Sequence, residues 1–236
     1  TQFAQAGLGL IDTIMAGHLS AVDLAAIAVA VGLWMPIMLL ASGIMIATTP
    51  LVAEANGART FDKIGSIARQ SLWVAFIIGV IAGLILQVMP FFLPMFGVPE
   101  ILLPKASLFL HAIGLGMPAV TMYAALRGYS EALGHPRPVT AISLIALVLL
   151  IPLNLVFMHG WGPIPALGSA GCGFATSILQ WLMLITLASY ISKADRYQKT
   201  PIFTHWEPID AYWVRRILWL GFPIGLAIFF EVSIFS

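Results

Sequence analysis

The sequence predicts an all-α, polytopic integral membrane protein, and three observations carry that prediction. The 236-residue chain is 60% hydrophobic and only 9% charged, where a soluble domain carries about 25% charged residues. Its charges leave three gaps, over residues 24–53, 70–99 and 138–192, each longer than the roughly 20 apolar residues that span a bilayer. Of its 11 Lys and Arg residues, all but Lys105 fall in or beside every second connection between apolar segments, the alternation that the positive-inside rule produces.

Several function classes drop out on composition alone. A formal net charge of +1 without a concentrated basic face argues against nucleic acid as a partner. The single cysteine, Cys172, excludes an internal disulfide framework and any multi-cysteine metal site. No P-loop, HExxH or GxGxxG string is present, so nucleotide hydrolysis, zincin chemistry and dinucleotide binding lack a motif. No His–acid or Ser–Lys pair at helical spacing suggests an intramembrane enzyme, and no repeated ring of charge suggests a channel.

Punctuation by Gly, Pro and charge divides the chain into seven apolar segments, taken in order. The first covers 1–16 and ends outside the membrane at Gly17 and His18. The second, 24–53, exceeds one straight span, so tilt or protrusion at one end is expected, with a kink at Pro36. The third, 70–94, holds Gly79 and Gly83, a small-xxx-small pair suited to close helix packing. The fourth, 105–127, reads as one helix, with His111 inside it. The gap over 138–192 must hold two helices, 138–158 and 169–192, because Gly160, Gly162, Pro163 and Pro165 break it. The seventh, 211–236, carries Gly221 and Gly225, with a kink expected at Pro223. Thr1 opens within an apolar run and Ser236 closes within another, so the chain reads as part of a longer protein. The basic residues place the second, fourth and sixth connections, and the N-terminus, in the cytoplasm.

Two acids interrupt this pattern, Asp12 in the first segment and Glu231 in the seventh. At about 1.5 Å per residue, Asp12 lies roughly 8 Å below the outer helix end, and Glu231 about 22 Å into a layer about 30 Å thick. A carboxylate at such depth costs a few kcal/mol unless it faces a wet cavity, is protonated or is paired. Either each acid is a structural bridge between helices, or a proton, a metal ion and an organic cation compete there for one negative site. Gln5 lies two turns before Asp12 on the same face. Asn154 in the fifth segment, also about 8 Å deep, and Thr176 in the sixth, after the Gly171-Cys172-Gly173 run, are the other polar groups that could share a cavity with Asp12. Each reads equally well as interhelical glue. Met35 and Met38 in the second segment are candidates to line a cavity for flat apolar molecules, since thioethers adapt their shape, although packing is the plainer reading of any one Met.

The run from Gly9 to Gly17, Gly-Leu-Ile-Asp-Thr-Ile-Met-Ala-Gly, resembles the first-helix motif of the multidrug and toxic compound extrusion (MATE) family, in its NorM-like bacterial branch. Thr49-Pro50-Leu51-Val52-Ala53 with Asn56-Gly57, Pro152-Leu153-Asn154, Gly171-Cys172-Gly173-Phe174-Ala175-Thr176 and Phe229-Phe230-Glu231 agree, in order and over nearly the whole chain. The resemblance implies a twelve-helix, two-lobe transporter of which this chain supplies a six-helix N-terminal lobe (1–192), a cytoplasmic linker (193–210) and the start of the C-terminal lobe (211–236). It implies a monomer in the bacterial inner membrane that exports organic cations and amphipathic drugs, hence antibiotic resistance, in exchange for H+ or Na+, with no cofactor and with the rest of its own chain as partner. It further implies a cation-coupling set of Asp12, Asn154 and Thr176, possible ligands of Na+, with Glu231 as the second lobe's acid and Gln5, Asp12, Met35 and Met38 at the substrate cavity. Many relatives carry Asn where this chain has Leu150, one turn before Asn154. The missing oxygen weakens a sodium site more than a protonation site and tilts the reading toward protons. A lipid-linked saccharide flippase of the same superfamily is the alternative, but it would want basic residues in its cavity.

Overall fold

A computed structural model describes residues 7, 11, 12, 14, 15, 17, 20–161, 166–203 and 207–235, with side chains to residue 231. Among these residues every regular element is helical. The described residues Gly7, Ile11, Asp12, Ile14, Met15 and Gly17 lie in the first helix, α1. It is followed by α2 (Ala21–Met45), α3 (Thr48–Gly57), α4 (Phe61–Val88), a 3-10 helix (Met89–Phe96), α5 (Leu103–Gly114), α6 (Met117–Ala132), α7 (Pro136–His159), α8 (Ala170–Lys193), a short 3-10 turn (Asp195–Tyr197) and α9 (Ala211–Phe235). Five stretches of the described residues are long and apolar enough to cross a bilayer: Ala21–Gly57, Phe61–Phe96, Pro136–His159, Ala170–Lys193 and Ala211–Glu231. A bent pair, α5 with α6, makes a sixth. The seven apolar segments of the sequence map onto α1, these five stretches and the bent pair.

Two segments expected to be single helices are broken, and one mechanism accounts for both. A proline lacks the N–H that would bond to the carbonyl four residues back, and its ring crowds that carbonyl. Pro50 stands four residues after Ile46, where α2 gives way to α3. Pro118 stands four residues after Gly114, where α5 ends and the chain bends by 41° into α6. Pro36 and Pro223, where kinks were expected, lie inside α2 and α9 without interrupting either element. The third segment also starts earlier than its charges suggested. Arg69, taken as a boundary, lies two turns inside α4 and is buried.

Packing follows the small residues. α4 lies along α6, α7 along α8, and α2 along α9. A Cβ on Gly83 would sit 2.7 Å from the Gly114 carbonyl oxygen, and one on Gly225 2.8 Å from the Leu40 carbonyl oxygen. Gly221 is pressed against the Ile44 carbonyl in the same way. Both small-xxx-small pairs therefore mark close helix contact. Two apolar clusters fill the bundle, one toward the basic end around Ile64, Leu72, Tyr129 and Leu187, the other toward the opposite end around Ile27, Leu86, Phe109 and Cys172.

Residues 193–210, expected as a plain connection, are strapped to the bundle where described. Tyr197 stacks on Tyr129 with ring centres 5.8 Å apart, and the Tyr129 hydroxyl donates to the Thr200 carbonyl at 2.7 Å. Arg69 donates to the Pro201 carbonyl at 3.0 Å and pairs with Glu207. Ser66 donates to Glu207 at 2.7 Å, and Gln70 donates to the Pro208 carbonyl at 2.8 Å while accepting from the Asp210 N–H at 2.9 Å. Glu54 of α3 meets Arg216 of α9 at 2.9 Å.

Close glycine contact makes a direct expectation. Gly221→Ala and Gly225→Ala should each lower the stability of the purified protein by about 1–3 kcal/mol, the usual cost of overpacking. Gly32→Ala, where an added Cβ meets nothing within 4 Å, should be neutral or stabilising by up to about 1 kcal/mol. Thermal unfolding in detergent of the three variants checks the contrast.

Candidate functional site

Three helices deliver one polar group each to a common point. Glycines permit their approach: a Cβ on Gly7 of α1 would lie 2.8 Å from the Leu147 side chain of α7, Gly171 of α8 abuts the Phe157 backbone of α7, and a Cβ on Gly173 would lie 3.0 Å from the Phe109 carbonyl of α5. At that point the Asn154 amide donates to Asp12 Oδ1 at 2.6 Å. The Thr176 hydroxyl donates to Asp12 Oδ2 at 2.9 Å. Asp12 is 9% exposed, Asn154 fully buried and Thr176 5% exposed. Equal depth in the sequence thus becomes direct contact.

Charge sets the chemistry of the cluster. Both donors to Asp12 are neutral, and none of the ion pairs among the described residues includes it. One lone-pair group remains over: Asn154 Oδ1 is buried and has no hydrogen-bond partner among the described residues. An uncompensated carboxylate in a low-dielectric interior is costly, and a buried unsatisfied oxygen adds about 1–3 kcal/mol. A proton or a small cation taken up by Asp12 removes the first of these costs. The neighbouring position along α7 offers no further oxygen, since Leu150 is fully buried one turn before Asn154.

The remaining candidates are not gathered here. Glu231 is exposed on α9 and makes no hydrogen bond or ion pair among the described residues. Met35 is 39% exposed on α2. Met38 is partly buried, with its sulfur 3.8 Å from Ser42 Oγ. Neither methionine is bonded to the Asp12 cluster, and Gln5 lies outside the described residues.

The MatE family profile matches residues 1–156. The chain belongs to the MatE family. Relatives agree along the whole of it: the probable multidrug resistance protein NorM of Acinetobacter baylyi is 78% identical over 236 residues, all of this chain and 53% of that protein. The multidrug resistance protein PmpM of Pseudomonas aeruginosa is 37% identical over 239 residues, 50% of that protein. Among solved structures, the MATE transporter NorM-NG, held in complex with a monobody, superposes with a TM-score of 0.80 at 32% identity, covering all of this chain and 51% of that one. The chain spans about half the length of the curated relatives it matches. These MatE relatives are named as drug-resistance proteins and transporters, not enzymes, and the apolar helices make this chain a multi-pass membrane protein.

Sequence reasoning missed a second buried acid in this MatE chain. Asp23 was used only to bound an apolar run, yet it is 6% exposed and pairs with Lys105 at 2.9 Å. Its signal was legible: Ser20 and Asp23 have the spacing of a capping box at the start of α2. Lys105, the exception to the alternation of basic residues, is the partner that neutralises it.

A double-mutant cycle tests the energetics of the Asp12 cluster. Asp12→Asn and Asn154→Ala should be non-additive by about 1–3 kcal/mol, because the amide bonds the same carboxylate that the first substitution neutralises. Unfolding in detergent of the two single variants and the double variant gives the coupling energy.

Proposed function

We propose that this chain forms the first lobe, over residues 1–192, of a drug/cation antiporter that works by alternating access, joined by 193–210 to a second lobe that begins at 211. The observation that carries the reading is a buried carboxylate that, among the described residues, is bonded only by the neutral donors Asn154 and Thr176. Such a site is stable when a mobile cation visits it and strained when none does. H+ or Na+ arriving from outside takes the oxygens of Asp12, and the bonds to Asn154 and Thr176 that tie α1 to α7 and α8 are given up or re-formed on other terms. α1 then shifts and an organic cation in the cleft is released outward. In the inward-facing state the ion leaves and the next drug is accepted. The transporter sits in the bacterial inner membrane as a monomer with its N-terminus in the cytoplasm, an orientation supported by the basic residues. Gln5, Met35 and Met38 line the substrate path, and Glu231 serves the second lobe. The names of the relatives support drugs as cargo. The flippase alternative lacks support, because the group at the centre of the site is an acid with no basic neighbour bonded to it.

Asp12→Asn in the full-length transporter is expected to abolish efflux of a fluorescent organic cation from proteoliposomes under imposed proton or sodium gradients, with the protein still folded. Full efflux in that variant would overturn the reading. Leu150→Asn, which supplies an oxygen one turn from Asn154, is expected to raise the response to a sodium gradient relative to a proton gradient, measured in the same vesicles.

A further inference from the structure

Asp23 has more partners than its local role requires. Its N–H donates to Ser20 Oγ at 3.0 Å, and the Ser20 hydroxyl donates back to Asp23 Oδ2 at 2.5 Å. That reciprocal pair caps α2 and would serve as well in water. Yet the carboxylate is drawn inward. Oδ1 accepts from the Ser169 N–H at 3.3 Å, just before α8, and meets the Lys105 ammonium of α5 at 2.9 Å. The Ser169 side chain lies beside the same carboxylate. Its hydroxyl is buried and, apart from that carboxylate, has no hydrogen-bond partner among the described residues. Gly168, at φ +58°, brings the loop so close that a Cβ there would lie 3.4 Å from Asp23 Oδ1. The result is a cluster of oxygen atoms from Ser20, Asp23 and Ser169 gathered beside the Lys105 ammonium. Lys105 is held there by its tip only, for its side chain is 42% exposed.

The placement of this pocket connects it to Asp12. Ser169, Cys172 and Thr176 fall at i, i+3 and i+7 and so share one face of α8. Asp23 is bonded at the Ser169 end of that face and Asp12 at the Thr176 end, two turns and about 10 Å apart along the helix. Cys172 is fully buried on that face between the two positions, and its sulfur is 3.3 Å from Met158 Sδ. Met158 in turn stands one turn beyond Asn154 on α7. The two acids are therefore in file along the α7–α8 seam, separated by one layer of sulfur side chains, which are polarizable and, in Met158, flexible.

We infer that Asp23, with the Ser20 and Ser169 oxygens, is an outer binding site for a monovalent cation on its way to Asp12, occupied at rest by the Lys105 ammonium, which the arriving cation displaces. The inference rests on the reading of Asp12 as the coupling acid. It predicts opposite effects for the two halves of one ion pair. Removing the charge of Asp23 removes the site, whereas removing the charge of Lys105 removes a competitor.

The test uses the full-length transporter in proteoliposomes, loaded with a fluorescent organic cation. External Na+ is titrated at fixed pH and, separately, external H+ without Na+, in the parent and in Asp23→Asn, Lys105→Met and Asp12→Asn. For the ion that drives the parent, the half-saturating concentration should rise about fivefold or more in Asp23→Asn and fall severalfold in Lys105→Met, a coupling of the usual size between neighbouring sites. If both variants shift it in the same direction, or change only the maximal rate, the pair is a structural clasp and the inference is wrong. Lys105→Met alters a half-exposed side chain, so its result stands even where Asp23→Asn lowers the yield of folded protein. Persistent efflux in Asp12→Asn would instead overturn the antiport reading. Loss of efflux there, with half-saturation unmoved by the other two variants, would overturn this inference alone.

Discussion

A carboxyl group inside a bilayer-spanning bundle, held among the described residues by an amide and a hydroxyl and by no basic side chain, is the constraint to which the rest of this chain answers. Coulomb energies grow as the dielectric falls, so small shifts of the groups around Asp12 change its energy strongly. Its two donors come from different helices, α7 and α8, and α8 meets α7 closely because Gly171 presents no side chain to the Phe157 backbone, while Gly173 lets α8 approach α5. Glycine packing and the electrostatics of the acid are thus one problem. Bulk added at the seam would separate the donors before it changed any charge.

The same economy runs through the helix breaks. Pro50 and Pro118 each end a helix at the carbonyl four residues back, while Pro36, Pro152 and Pro223 are carried inside continuous helices. At Pro118 the flanking residues Gly114 and Gly116 give the backbone freedom to turn. The bend of 41° lets α5 follow the outer cluster and α6 the inner one. Thr121 helps fix the result by donating to the Ala75 carbonyl of α4 at 2.7 Å.

Much of this was legible in the sequence, and the parts that were not share a cause. Charge gaps gave the helices, the Gly160–Pro165 cluster gave the turn between α7 and α8, equal depth put Asp12 and Asn154 on one level, and the family resemblance added Thr176. Depth is a one-dimensional property, and it follows from counting along a helix. Contact between helices is not, so neither the Asn154 bond nor the Asp23–Lys105 pair could be read from spacing. Arg69 was misread for a related reason. An Arg near an apolar run looks like a boundary, but a charge inside a helix is tolerated when another part of the chain brings it a carboxylate, and Glu207 lies 138 residues away in sequence.

That last contact changes the mechanics of the molecule. A connection between two moving bodies is commonly pictured as slack rope, free to follow either. Here the segment before α9 is moored to α4 through Arg69, Ser66 and Gln70, and the base of α9 is pinned again by Glu54 and Arg216. A moored segment transmits torque. With its foot moored to α3 and α4 and its middle pressed onto α2 through Gly221 and Gly225, α9 moves as part of this bundle and not as a free arm.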